Sequence, residues 1–254
     1  MRLQLTLQHR PKQVLPINYQ YLLAAWVYRT LGNANAHYAT QLHEQGYDFA
    51  GKTYKLFTYS ALRPKWFDID RQAKTFCLTT GPTELTLSFC MDDALQHFVV
   101  GLFKDQQFTL ESGRHFRAQF EVTGIETLPK PTFTDTMRFR AVTPICLSRN
   151  EEGKIHAQYL SPELPEYGEL LAQNLMRKYI AANRGTVKLN DLTPTRFRLL
   201  NRPKSKLLAI KGVKMRGWLF DFELSAPREL LEVGYFGGFG MGCSALGMGM
   251  VRRL

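Results

Sequence analysis

The sequence predicts an α+β fold made of two tandem ferredoxin-like (RRM-like) domains. Short strands and amphipathic helices follow one another in the order strand, helix, strands, helix, strand, and this order occurs twice along the 254 residues. Between the two occurrences, residues 128–132 contain two prolines, which are not tolerated in a helix interior or a central strand. The predicted domains are therefore residues 1–127 and 133–254.

In the first domain, leucine at every second position predicts an opening strand with one buried face. Two buried helices are predicted next: residues 19–31, which are almost continuously apolar, and residues 35–45, which are set off by Gly32-Asn33 and Gly46. Aromatic or β-branched runs between Pro or Gly turns predict strands at residues 55–60, 66–70, 75–80 and 84–89. An amphipathic helix at residues 91–103 and a strand at residues 115–125 complete this domain.

The second domain repeats the pattern less clearly. The predicted helices are residues 165–182 and 227–233, and the predicted strands are residues 138–147, 195–200, 206–212, 215–224 and 247–252.

The positive charge is concentrated in one segment. The formal net charge of the chain is +11, and residues 177–216 contain twelve basic residues against one acid, Asp191, so this segment accounts for the whole excess. Such an imbalance is self-repelling unless a polyanion binds, which favours a nucleic-acid partner. The predicted RNA-binding side chains are Arg177, Lys178, Arg184, Lys188, Arg196, Arg198, Arg202, Lys204 and Lys206.

Other classes of protein are disfavoured. The four cysteines are far apart and lack metal-ligand spacing, so reduced thiols are expected and no metal or cofactor is predicted. The N-terminus lacks the apolar block of a signal peptide, and no run reaches the ~20 apolar residues of a membrane span. We expect a cytoplasmic protein that does not bind membranes.

A glycine segment, residues 234–249, contains seven glycines and no charged residue. Such a segment is typical either of a backbone cradle for phosphate oxygens or of a tight apolar turn on the core, and composition alone does not separate the two. A Walker loop is excluded because no Gly-Lys-Ser/Thr follows. On the first interpretation, the phosphate-binding positions are Gly238, Gly240, Gly247 and Gly249.

Motifs at both ends of the chain resemble one family. Val233-Gly-Tyr, Gly238-Phe-Gly240 and Leu246-Gly-Met-Gly-Met-Val251 are similar to the signature of the CRISPR repeat-RNA-processing endoribonucleases, which belong to the RAMP superfamily. Leu15-Pro-Ile-Asn-Tyr19, Leu42-His43-Glu44 and Lys55-Leu-Phe-Thr-Tyr-Ser60 follow the order of the same family. The resemblance therefore covers both predicted domains.

The resemblance implies metal-independent cleavage of CRISPR repeat RNA, the precursor of crRNA. A 2′-hydroxyl would attack the adjacent phosphate and leave 2′,3′-cyclic phosphate and 5′-hydroxyl ends. It implies His43 as the general base, Tyr28 as the acid and Lys55 as the group that stabilises charge. These types suit the reaction, because histidine titrates near neutrality and a cation offsets the charge on the phosphorane.

Several alternatives stay open at this point. From the residues alone, His43 is a half-buried histidine at a helix end, Tyr28 a core aromatic and Lys55 an edge charge. His37 and Lys52 are the rivals of His43 and Lys55. The alternative function is a non-catalytic RNA-binding subunit of a CRISPR effector complex. Binding to other subunits of such a complex, formation of a homodimer and the RNA sequence recognised are not determined by this sequence.

Overall fold

The computed structural model describes residues 1–113, 115–149, 157–186, 195–210 and 212–254. In the first half, the described residues form three helices and eleven strands: β1 (Arg2–His9), β2 (Gln13–Pro16), α1 (Gln20–Ala34), α2 (Ala36–Glu44), β3 (Tyr47–Phe49), β4 (Lys52–Tyr54), β5 (Phe57–Tyr59), β6 (Arg63–Pro64), β7 (Phe67–Asp70), β8 (Thr75–Leu78), β9 (Thr83–Phe89), α3 (Asp92–Lys104), β10 (Gln107–Ser112) and β11 (Phe116–Leu128).

The described residues of the second half form two helices, eight strands and a short 3-10 helix at Ser244–Leu246: β12 (Thr136–Ala141), β13 (Ser148–Arg149), β14 (Gln158–Tyr159), α4 (Tyr167–Ala182), β15 (Arg196–Leu199), β16 (Lys204–Ile210), β17 (Val213–Leu219), β18 (Asp221–Ser225), α5 (Arg228–Gly237) and β19 (Val251–Arg253).

Both halves have the same sheet order, with the last strand of each beside the first. The N-terminal sheet runs β5-β9-β1-β11, and β2, β8 and β7 extend it beyond β11. The C-terminal sheet runs β15-β18-β12-β19. Each order is that of a split βαβ fold, with antiparallel neighbours throughout. The predicted class, two tandem ferredoxin-like domains, is confirmed.

Each sheet has its own apolar core. The leucines of β1 that were predicted to be buried, Leu3, Leu5 and Leu7, lie in the N-terminal core with Trp26 and Phe98. The C-terminal core is built from aromatic and aliphatic side chains of its sheet, α4 and α5, and it also takes in Tyr54 and Leu56 from the first half of the sequence. The hairpin β3–β4 contacts α4, so it links the first half of the sequence to the C-terminal domain. The boundary at residues 128–132 stays a prediction.

Several predicted boundaries are wrong, for identifiable reasons. The strand predicted at residues 215–224 is two strands, because β17 pairs with β16 whereas β18 pairs with β12 and β15. The strand predicted to begin at residue 247 begins at Val251, because Gly247 and Gly249 have φ of +74° and +79° and take the chain out of extended geometry. The predicted strand at residues 138–147 ends at Ala141.

The N-terminal sheet holds the glycine segment by buried hydrogen bonds to backbone carbonyls. The guanidinium of Arg2 donates to the carbonyl oxygens of Tyr235 and Val251, which lie near the two ends of the segment. The hydroxyl of Ser88 donates to Phe236 O at 2.9 Å, and that of Thr58 donates to Met248 O at 2.9 Å. We call this interface the seam, and it joins the two domains along the open face of the N-terminal sheet.

Close approach of backbones within the C-terminal domain explains two glycines of the glycine segment. A Cβ at Gly249 would lie 1.9 Å from the carbonyl oxygen of Phe239, and one at Gly240 would lie 2.3 Å from that of Cys146. Both positions also have positive φ, which side chains other than glycine rarely adopt. Gly242, in the same segment, has φ of +63°, but a Cβ there would meet no atom of the described residues within 4 Å.

We predict that Gly249→Ala lowers the free energy of unfolding by about 3 kcal/mol, of which ~1 reflects the strained backbone and ~2 the overlap with Phe239. The matched control Gly242→Ala carries the backbone strain alone and should cost about 1 kcal/mol. Urea denaturation of the two variants and the wild type measures the difference. Equal losses in both variants would contradict close packing as the reason for the glycine.

Candidate active site and RNA-binding surface

Tyr28, His43 and Lys55 line one cavity of about 250 Å³. α1 contributes Tyr28, the last turn of α2 contributes His43, and the chain between β4 and β5 contributes Lys55. The 3-10 helix of the glycine segment forms the facing wall through Ala245 and Leu246. The three residues that the sequence analysis selected are therefore adjacent, and the C-terminal domain completes their cavity.

The contacts among these three residues are direct. The rings of Tyr28 and His43 meet edge to face, with centroids 4.8 Å apart and planes at 86°. The ammonium of Lys55 donates a hydrogen bond of 2.8 Å to the backbone carbonyl of His43, at the C-terminal end of α2. That bond satisfies a carbonyl that has no partner within the helix, and it brings the Lys55 charge to the cavity. His43 itself is exposed to solvent.

Burial affects the protonation of two of the groups. It raises the pKa of Tyr28 far above its ordinary value, so the hydroxyl stays protonated at neutral pH and can donate a hydrogen bond. Partial burial lowers the pKa of the Lys55 ammonium from its usual value. The cavity therefore combines an imidazole open to solvent, a neutral hydroxyl donor and an ammonium held at the backbone carbonyl of His43.

The two rival residues lie elsewhere. His37 is exposed at the start of α2, outside the cavity lining. Lys52 lines a separate cavity of about 220 Å³ with Tyr54, Asn174, Met241 and Gly242. Geometry thus favours His43 over His37 and Lys55 over Lys52 as neighbours of Tyr28.

The geometry of the glycine segment favours a tight apolar turn over a phosphate cradle. Gly238, Gly240, Gly247 and Gly249 are all buried. The amide of Gly247 donates to Ser244 O and that of Gly249 donates to Pro144 O, so neither is presented to a ligand. Gly247, which has no side chain, instead packs directly on the ring of Tyr59. The alternative that composition left open, a tight apolar turn on the core, describes the segment.

Lys178 is buried, contrary to the prediction that it binds RNA at the surface. Its side chain is 1% exposed, and its ammonium donates to the carbonyl oxygen of Gly238. Burial lowers the pKa of Lys178 to about 8. The prediction that Lys178 binds RNA is wrong, because its ammonium lies inside the protein and binds the glycine segment from α4.

The other predicted RNA-binding residues in the described part of the chain are at the surface. Arg196 and Arg198 are exposed on β15, Arg202 lies in the turn after it, and Lys204 and Lys206 lie on the hairpin β16–β17. On α4 and just beyond its end are the half-buried Arg177 and the exposed Arg184. Lys188 lies outside the described residues.

The sequence analysis missed three arginines of the C-terminal sheet, which lie on the same face as Arg198. Arg138 and Arg140 alternate with buried residues along β12. Arg252 lies on the neighbouring strand β19, directly opposite Arg140. Two carboxylates of β18 face these strands: Glu223 binds Arg138 and Arg198, and Asp221 binds Arg140. Arginines at positions 138 and 140 of a predicted strand lie on one face of it, because side chains alternate along a strand. The count of basic residues covered only residues 177–216 and therefore did not include them.

The described residues contain no group of three or more His, Cys, Asp or Glu side chains that could hold a metal ion. Among the helices in those residues, none is long and apolar enough to span a membrane.

Comparison with known proteins relates the chain to Cas6. Family models described as CRISPR-associated protein Cas6, N-terminal and C-terminal, match residues 14–121 and 128–253. The chain is 26% identical to CRISPR-associated endoribonuclease Cas6 1 of Methanocaldococcus jannaschii, covering 99% of this chain and 92% of that protein. It is 28% identical to CRISPR-associated endoribonuclease Cas6 of Pyrococcus furiosus, covering 94% and 83%.

Solved structures show the same similarity. A Cas6-related protein of Pyrococcus furiosus matches with a TM-score of 0.82 at 22% identity, covering 100% of this chain and 98% of that one. A CRISPR associated protein Cas6 matches with a TM-score of 0.75 at 28% identity, covering 100% and 99%.

We predict that Lys178 makes stability depend on pH. An unfolded lysine has a pKa of about 10.4, whereas that of Lys178 in the fold is about 8. Between these values the unfolded chain binds more protons than the folded one, so rising pH favours folding. Urea denaturation from about pH 8 to about pH 10 should show the wild type gaining about 1 kcal/mol per pH unit relative to Lys178→Met.

The exposed Lys206 provides the control for this experiment. The difference in stability between the wild type and Lys206→Met should stay constant over the same pH range. A wild type that loses stability relative to Lys178→Met as pH rises would contradict the buried ammonium.

Proposed function

Because the chain belongs to the Cas6 family of CRISPR-associated proteins, we propose that it is an endoribonuclease that cuts CRISPR repeat RNA. The proposal extends to its chemistry: metal-independent cleavage by attack of a 2′-hydroxyl, giving a 2′,3′-cyclic phosphate and a 5′-hydroxyl. The observation that carries it is the meeting of Tyr28, His43 and Lys55 in one cavity open to solvent.

Each group has a role that its surroundings support. The imidazole of His43 accepts the proton of the attacking 2′-hydroxyl, because it is exposed at the cavity and histidine suits proton transfer near neutral pH. The new P–O2′ bond forms as the P–O5′ bond breaks. Lys55 offsets the negative charge that accumulates on the phosphorane oxygens, since its ammonium is held 2.8 Å from the backbone carbonyl of His43.

Tyr28 acts on the leaving 5′-oxygen. Its raised pKa makes full ionisation costly, which favours a hydrogen bond to the developing alkoxide over complete loss of the tyrosine proton. The proton that completes the 5′-hydroxyl then comes from the imidazolium of His43, so the ring returns to its neutral state without a tyrosinate. This division of labour requires no metal ion.

RNA is held by the basic side chains of the C-terminal domain. Arg196, Arg198 and Arg202 lie on and just after β15, and Lys204 and Lys206 follow on the hairpin β16–β17; all five are exposed. Arg177 and Arg184 belong to α4 and its end. Phosphate contacts of this kind supply affinity without reading sequence.

We predict that His43→Ala loses cleavage of a repeat RNA by at least ~100-fold, the range for removal of a general base. His37→Ala is the matched control: both histidines lie on α2 and are exposed, but His37 lies outside the cavity. Single-turnover assays in excess chelator, with analysis of the RNA ends, measure the effect. Full activity of His43→Ala, or a requirement for added metal, would exclude the mechanism.

The same assay separates the alternative function. A wild-type protein that binds repeat RNA tightly and leaves it uncut would be a non-catalytic RNA-binding subunit of a CRISPR effector complex.

We predict that replacing Arg196, Arg198 and Arg202 together by Gln weakens RNA binding and flattens its salt dependence. Each lost phosphate contact removes ~0.7 to ~0.9 from the slope of log K against log salt, so loss of all three should lower the slope by about 2 to 3. The control replaces Arg10, Lys12 and Arg117, exposed residues near the end of β1 that points away from the seam. Equal slopes for the two triple variants would place the RNA-binding surface elsewhere.

A further inference from the structure

Part of the candidate catalytic cavity is not explained by the proposed reaction. Attack, charge stabilisation and departure of the 5′-oxygen use polar atoms of Tyr28, His43 and Lys55. The other lining residues have aromatic or aliphatic side chains: Tyr21, Ala24, Ala25, Ala245 and Leu246. A sugar–phosphate backbone, which is charged and strongly hydrated, gains nothing from such a surface.

The spacing on α1 makes this apolar part a slot. Tyr21, Ala24, Ala25 and Tyr28 are at i, i+3, i+4 and i+7, so they share one face of the helix, with the two tyrosines about 10 Å apart along the axis. The two alanines form a low floor between them, and Leu246 stands opposite. Tyr21 remains 37% exposed, so solvent reaches its side chain.

A flat, mostly apolar ligand beside a reacting phosphate is a nucleobase. We propose that Tyr21 is a base-stacking residue: the base of a nucleotide directly next to the scissile phosphate lies over Ala24 and Ala25 and stacks on the Tyr21 ring. Stacking on an aromatic side chain is a common way to hold an RNA base, and it tolerates any base because each has a π-face.

The slot also defines the class of substrate. A base inside a stem has both faces covered by its neighbours, so such a base cannot present a face to Tyr21. A base pair at the end of a stem has one open face, but it would bring its partner base with it, and the cavity of about 250 Å³ suits one base. We therefore expect the nucleotide in the slot to be unpaired when the RNA is bound, even where the rest of the repeat forms a hairpin. By holding this base, Tyr21 positions the phosphate against His43 and Lys55.

The inference rests on the proposed function for the location of the cut, but its main test measures binding. A repeat RNA that the wild-type protein binds carries 2′-deoxyribose before the scissile phosphate, so that it stays intact under the proposed chemistry. Abasic substitutions are then placed along it, one nucleotide at a time. Wild type, Tyr21→Ala, Tyr21→Phe and Ala25→Leu are compared on each RNA.

Tyr21→Ala should weaken binding to the unsubstituted RNA about tenfold, within the range for loss of one base–aromatic stack. Tyr21→Phe keeps the ring and should bind like the wild type. Ala25→Leu leaves Tyr21 in place but fills the floor of the slot, and it should weaken binding to a similar extent. Phe103→Ala is the control, since Phe103 is a 66% exposed aromatic on α3 and does not line the cavity.

The abasic series identifies the nucleotide. At one position, next to the cut, the abasic RNA should bind wild type and Tyr21→Ala equally, because the stack is already lost. A tenfold loss that persists at every abasic position, no loss with Tyr21→Ala, or coupling at a nucleotide away from the cut would overturn the inference. Coupling at one nucleotide of an RNA that the wild type never cuts would reject the proposed function while retaining a base slot.

Discussion

The seam between the domains is the constraint on which the rest of the structure depends. Its central interaction is the buried guanidinium of Arg2, which stacks 3.4 Å from the ring centroid of Tyr235 and donates to carbonyls near both ends of the glycine segment. A charge in this position is tolerated only while these partners surround it, because an unpaired buried cation is very costly. Burial lowers the pKa of Arg2 to about 10. The seam in turn places Leu246 opposite Tyr28.

Much of this architecture could be predicted from the sequence because its signals are local. Alternating leucines in β1 and helical periodicity in α3 depend on neighbouring residues, and the strand–helix order then allows few topologies. The grouping of Tyr28, His43 and Lys55 followed from family resemblance rather than from periodicity. Tyr21 was missed although it lies seven residues before Tyr28, because one tyrosine at helical spacing is usually a core residue.

The remaining errors concern partners that lie far away in sequence. Whether the amide of Gly249 faces a phosphate or Pro144 O depends on a residue 105 positions earlier, and no local pattern encodes that pairing. Lys178 stands in a basic run beside Arg177, yet one helical position turns its ammonium inward to Gly238 while Arg177 stays half-exposed. Charge counts describe composition, whereas burial is decided by which helix face meets the core.

Both domains contribute residues to the cavity, so the smallest fragment that contains the whole cavity is the pair of domains. All three candidate catalytic residues belong to the first half of the chain, and a fragment of residues 1–127 would contain them together with most of the slot. It would lack Ala245 and Leu246, leaving the cavity open on one side and the polar groups Arg2, Ser88 and Thr58 without their carbonyl partners. The catalytic part cannot be transplanted as a module, and the indivisible object is the docked pair of domains.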